Sequence, residues 1–159
     1  IRAQRYLHHD DDGDEEPAPA AAVSGAAMFL RTSALDRIGL FDKDFFLCYE
    51  DVDLCLRARA AGWGVMTVAR SRIYHKVSGS MGGEGSALVV YYATRNQLLA
   101  FNRNCPVPRL WRPIRNLNIL VLCFLFAAGK ARGPILSRIS AWQEGARDYF
   151  RRKWGKKEN

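Results

Sequence analysis

The chain has 159 residues, of which 48% are hydrophobic and 25% charged, with a formal net charge of +8. That length suits one modest domain or part of a larger one, and the balance excludes wholesale disorder, collagen-like repeats and disulfide scaffolds. The four cysteines (48, 55, 105 and 123) form no Cys-x-x-Cys pair, which points to free thiols in a reducing compartment.

Charge is spread unevenly. Residues 1–22 carry two Arg against six acids, residues 23–108 ten basic groups against seven acids, and residues 109–159 twelve against three. The predicted organisation follows these shifts: an acidic, Pro-containing loop or disordered lead-in over 1–22, a central domain over 23–108, and a basic helical tail over 109–159. Asp10-Asp11-Asp12-Gly13-Asp14 resembles a calcium loop only superficially, because Gly is absent at the sixth loop position and Ala21 stands where a bidentate Glu is required. The chain begins at Ile1 rather than Met, so further residues are expected upstream.

Small apolar residues from Val23 to Arg31 read as a buried strand beginning at Ser24-Gly25-Ala26-Ala27. Thr32 or Ser33 can cap a short helix that runs to Ile38 and stops at Gly39. After the turn Asp42-Lys43-Asp44 and the aromatic pair Phe45-Phe46, a helix is predicted from Glu50 to Ala61, closed by Gly62. Within it Asp53 and Arg57 stand at a favourable i,i+4 spacing. Residues 64–69 and 72–75 read as short strands, and 78–86, rich in Gly and Ser, as a mobile loop.

Helical spacing returns over 88–103 and stops before Pro106 and Pro108. Two more helices are predicted at 114–131 and 135–153, broken at Gly133-Pro134. The apolar run Leu117–Ala128 amounts to roughly 18 Å of helix, short of the roughly 30 Å of bilayer hydrocarbon. The last helix repeats Ile135, Ile139, Trp142, Ala146, Tyr149 and Phe150 among several Arg. That pattern suits a helix lying in a membrane interface, and equally one packing its stripe on the domain.

The informative core is the stretch from Phe45 to Arg57, where Glu50, Asp51 and Asp53 open a helix directly after an aromatic run. Acids in a first turn complement the helix dipole, and a carboxylate beside apolar walls can also serve as a general base. Spacing alone leaves both readings open.

The ordered set Ser24-Gly25-Ala26-Ala27-Met28, Ile38-Gly39-Leu40-Phe41-Asp42, Phe46 through Arg57, Ala61-Gly62-Trp63, Tyr74-His75-Lys76 and Tyr92-Ala93-Thr94-Arg95-Asn96 resembles the C-terminal half of a family 2 glycosyltransferase. The likeness is to bacterial rhamnosyltransferase-like and galactofuranosyltransferase-like members. It implies an α/β fold, the acceptor-side half of a GT-A domain, here followed by membrane-interface helices. It also implies inverting transfer with Asp51 as base, Glu50 and Asp53 orienting the acceptor or completing the helix N-terminus, and a divalent metal (Mg or Mn) with His75 as a ligand. Gly25, Trp63 and Arg95 are the implied substrate contacts, although Trp63 as a core residue, Arg95 as a packing residue and His75 as a structural residue stay open. The implied partners are a nucleotide-sugar donor and a glycan or lipid-linked acceptor, to which the basic, apolar tail over 109–159 adds an anionic membrane surface on the cytoplasmic face. No nucleic acid is expected, since no recognised module accompanies the basic tail.

The family's Asp-x-Asp strand is not matched by Asp10-Asp11-Asp12, so the donor-side half is expected to lie outside this chain. The isolated chain is then expected to hold no metal and to transfer no sugar. A catalytically inactive membrane-surface or interaction module is the alternative.

Overall fold

The computed structural model describes residues 16–68, 71, 73, 82–83, 85–129 and 134–157. Two units emerge, one from the described residues of 1–41 and 51–75, the other from those of 42–50 and 76–159. The division does not fall near residue 108. The basic segment expected as a separate tail belongs to the same unit as the helix before it.

In the first unit, β1 (Ala18–Pro19) pairs antiparallel with β2 (Met66–Thr67), Ala18 opposite Thr67. The end of the lead-in is therefore strand, not loop, and its Pro sits where a two-stranded ribbon needs no further donor. The strand expected at Ser24–Ala27 is instead a 3-10 turn, Gly25–Ala27, with the Ser24 hydroxyl accepting from the Ala26 N–H. A short run of small apolar residues carries no period, so sequence could not separate the two.

Helix α1 (Thr32–Ile38) starts from Arg31 without a side-chain cap, so neither Thr32 nor Ser33 serves as the cap. It ends where Gly39 takes a φ of +80°, a conformation that favours glycine. Helix α2 (Glu50–Ala60) buries Asp53, Leu54 and Cys55. It closes as a Schellman motif: the Gly62 N–H donates to the Arg59 carbonyl and the Trp63 N–H to that of Ala58.

In the second unit, α3 (Ala87–Asn104) is capped by the Ser86 hydroxyl, which accepts from the Val89 N–H. A 3-10 turn (Arg109–Trp111) leads into α4 (Arg112–Ala128), and α5 (Ile135–Phe150) follows. The core lies where the three helices meet. One cluster joins Val90, Tyr91 and Tyr92 of α3 to Ala127 of α4 and Ala141 of α5, and another joins Leu98 to Ile119 and Cys123. Burial pushes the Cys123 thiol up to about 11, as expected for a sulfur lodged in this core.

Helix α5 turns Arg138, Ala141 and Gly145 inward. The Trp142 indole N–H donates to the Leu120 carbonyl at 3.0 Å, and the Tyr91 hydroxyl donates to Asp148 at 2.8 Å. Its amphipathic stripe is thus largely used for packing on α3 and α4, although Ile135 and Phe150 remain exposed. Arg138 is 3% exposed, and its Nε and Nη1 have no hydrogen-bond partner, a cost that surrounding apolar burial must offset.

Gly145 lets α5 lie close against α3: a Cβ there would stand 2.5 Å from the Tyr91 carbonyl oxygen and 3.2 Å from Thr94 Cβ. Backbone oxygen cannot swing aside as a side chain can. Gly145→Val is expected to destabilise the chain by about 2–3 kcal/mol through overpacking. Urea denaturation followed by circular dichroism checks this, and an unchanged midpoint would show that the helices can part at no cost.

Candidate active site

The stretch before α2 is held in an unusual backbone. Phe46, Cys48 and Tyr49 all have positive φ, at 56°, 63° and 68°. Non-glycine residues in the left-handed region cost roughly 1–3 kcal/mol each and persist only when their surroundings over-determine them. Asn96 supplies that constraint. Its side-chain Nδ2 donates to the carbonyls of Phe45 and Leu47 at 2.7 Å and of Cys48 at 2.9 Å.

Arg95 adds to it. It is 1% exposed, with Nη2 donating to the carbonyls of Asp44 and Phe45, Nη1 to that of Gly155, and Nε to Asn96 Oδ1. Its guanidinium lies 5.0 Å from the Tyr92 ring centre. The phosphate contact expected of Arg95 gives way to an internal tie, because a guanidinium committed to carbonyls inside the protein has no face left for a ligand. Arg103 closes the turn from outside, pairing with Asp42 at 2.6 Å and Asp44 at 2.7 Å.

The strained loop delivers the chain into α2, whose first turn holds Glu50 and Asp51. Asp51 is half-buried and accepts two backbone hydrogen bonds, Oδ1 from the Val52 N–H at 2.8 Å and Oδ2 from the Gly25 N–H at 2.9 Å. A carboxylate offers about four lone-pair sites, so two remain for a hydroxyl. Gly25, expected to touch substrate, instead spends its amide on Asp51. A Cβ at Gly25 would meet Asp51 Cβ at 3.4 Å and Oδ2 at 3.6 Å, in contact with the carboxylate. One turn on, burial pushes the Cys55 thiol up, against the lowering effect of its hydrogen bond to the Val23 carbonyl, and the Asp51 charge adds to the rise.

Asp53 has a different place from the one expected. It is buried and accepts from Arg57 Nε at 2.8 Å. Arg57 in turn donates to the carbonyls of Ile38 and Leu40, tying down the end of α1. The i,i+4 pair read from sequence is present, yet it faces inward and does not orient an acceptor. Trp63 is half-buried after the Gly62 turn, with its indole nitrogen shielded and without a partner.

Among the described residues no three His, Cys, Asp or Glu side chains converge as a metal site requires. His75, the expected ligand, lies outside the described residues, as do Asp10, Asp11 and Asp12. Sequence reasoning missed Asn96 as the residue that shapes the loop, although its place beside Arg95 in the matched motif was a signal.

A model for glycosyl transferase family group 2 matches residues 9–142. The chain is 36% identical over 64 residues to the N-acetylglucosaminyl-diphospho-decaprenol L-rhamnosyltransferase of Mycobacterium tuberculosis, a match covering 40% of this chain and 21% of that protein. It is 37% identical over 59 residues to the O-antigen biosynthesis protein RfbC of Myxococcus xanthus, covering 37% of this chain and 5% of that protein. The matched stretch is thus about a fifth, or less, of the length of these relatives. No solved structure matches. With most of its length accounted for by the family model, and with the Glu50-Asp51 helix start built as described, the chain belongs to glycosyl transferase family group 2.

Proposed function

We propose that the chain carries the acceptor side of an inverting, nucleotide-sugar-dependent glycosyltransferase that builds cell-surface polysaccharide at the cytoplasmic face of the membrane. Asp51 supports the reading best: it is a half-buried carboxylate in the first turn of α2, oriented by two backbone N–H groups, with lone pairs left to accept a proton. The relatives' names support a glycan or lipid-linked acceptor.

In the proposed step Asp51 takes the proton of an acceptor hydroxyl as that oxygen bonds to the anomeric carbon. The bond from that carbon to the nucleoside diphosphate breaks, and its electron pair leaves with the diphosphate. Attack opposite the leaving group inverts the configuration. Glu50, the preceding residue, orients the acceptor. The described residues offer no ligand set for a divalent ion, so no step is assigned to one. Magnesium or manganese, with His75 as a ligand, belongs in this reading to the complete enzyme.

The test is product stereochemistry. The complete enzyme, given a nucleotide-sugar donor and a lipid-linked acceptor, is expected to form a linkage whose anomeric configuration, read by NMR, is opposite to the donor's. A retained configuration would overturn the role given to Asp51. The isolated chain of 159 residues is expected to transfer nothing.

A further inference from the structure

Helix α4 has one face used by the fold and one left over. Ile119, Cys123 and Ala127 form the inner line, buried against α3 and α5. On the opposite side Ile114, Leu117, Val121 and Leu125 follow one another at spacings of three and four, all exposed, with Leu117 61% and Leu125 59% open, and Leu110 of the preceding 3-10 turn is exposed as well. Asn118 is the polar interruption beside this line. An apolar stripe of this length on a helix surface marks a contact with something else.

The charge around the stripe says what. Between Glu84 and Glu144 the sequence contains no Asp or Glu, while Arg109 and Arg112 stand exposed where the stripe begins. Lys130 and Arg132 follow it in the sequence. A carboxylate-free apolar face with cations at its end is complementary to a surface that is negative above and hydrocarbon below, which describes an anionic lipid bilayer.

The helical run Arg109–Ala128 has 20 residues and is long and apolar enough to cross a membrane, longer than the twelve apolar residues had suggested. Its inner face argues against crossing. Arg115 donates to the carbonyls of Phe101 and Cys105, and the Asn102 side chain donates to Asn116 Oδ1 at 2.9 Å. A transverse α4 would draw these groups, and the polar end of α3, into hydrocarbon. Lying in the plane keeps every one of them on the protein side.

We propose that the outer face of α4 seats this protein in the plane of an anionic lipid bilayer, with Leu117, Val121 and Leu125 in the headgroup–acyl boundary and Arg109 and Arg112 on the headgroups. Of the two last helices expected at the interface, α5 packs its stripe on α3 and α4, so the proposal rests on α4 alone. Lipid binding is measured without sugar transfer, so its failure and that of the catalytic reading are distinguishable.

The experiment is co-sedimentation of the whole chain with phosphatidylglycerol–phosphatidylcholine vesicles and with phosphatidylcholine alone. Binding is expected to the anionic vesicles and to weaken with salt. The triple variant Leu117→Glu, Val121→Glu, Leu125→Glu, all at exposed positions, is expected to lose roughly 100-fold or more in partitioning with unchanged circular dichroism. Arg109→Gln with Arg112→Gln is expected to lose roughly 10-fold or more and to flatten the salt dependence. Equal partitioning of the triple variant and the parent overturns the proposal. So does light scattering that shows a dimer abolished by the triple variant while the parent ignores vesicles, since that assigns the face to a second copy.

Discussion

Replacing Arg95 by Met is expected to cost the chain about 3–5 kcal/mol of folding stability. The arginine bonds the carbonyls of Asp44, Phe45 and Gly155 from a position 1% exposed. Hydrogen bonds to a charged group contribute about 1.5–3 kcal/mol each, and removing the donor leaves buried acceptors unsatisfied. Met fills the volume but donates nothing. Lys is no substitute either, because a single ammonium cannot reproduce the planar fork that reaches Asp44 on one side and Gly155 on the other.

The strained residues make this loss local as well as global. Without Arg95 the carbonyls of Asp44 and Phe45 lose an anchor, and the loop of positive-φ residues Phe46, Cys48 and Tyr49 leans more heavily on Asn96. Arg95→Met should therefore expose the segment 42–49 to protease before the chain unfolds as a whole. Urea denaturation and limited proteolysis check both statements. A loss below about 1 kcal/mol would mean that water satisfies those carbonyls and that Arg95 is not the tie described.

In the complete enzyme, Asp51→Asn is expected to lower kcat about 100-fold or more, in line with general-base contributions. The variant keeps the shape of the side chain but not its acceptors. Both oxygens of Asp51 face backbone N–H groups, of Gly25 and Val52, and an amide can satisfy only one of them. The change should thus cost about 1 kcal/mol in stability, too little to unfold the protein and too little to explain the lost turnover. Donor KM should stay near its parent value, because the carboxylate acts on the acceptor. Turnover within a few-fold of the parent would remove Asp51 from the chemistry and leave it as a helix-start residue.

Sequence by itself placed the helices and the stops of the first three, whereas α4 and α5 end at Ala128 and Phe150, short of the predicted 131 and 153. Gly39 and Gly62 end α1 and α2 because their left-handed φ is available at no steric cost, and Cys105 with Pro106 and Pro108 ends α3 because proline offers no N–H to continue. The pair Glu50-Asp51 was legible for the same reason, being a local pattern at a helix start. The pairing of Asp51 with Gly25 was not, since 26 residues separate them and only the folded backbone brings the amide to the carboxylate. Nor was the use of Asn96, whose three carbonyl partners lie about 50 residues away on a loop that no propensity predicts. Periodicity showed that α4 and α5 each had an apolar face, but a period does not say which face finds a partner. Tertiary packing decided that: Gly145 admits α5 against the backbone of α3, and the outer stripe of α4 is left without one.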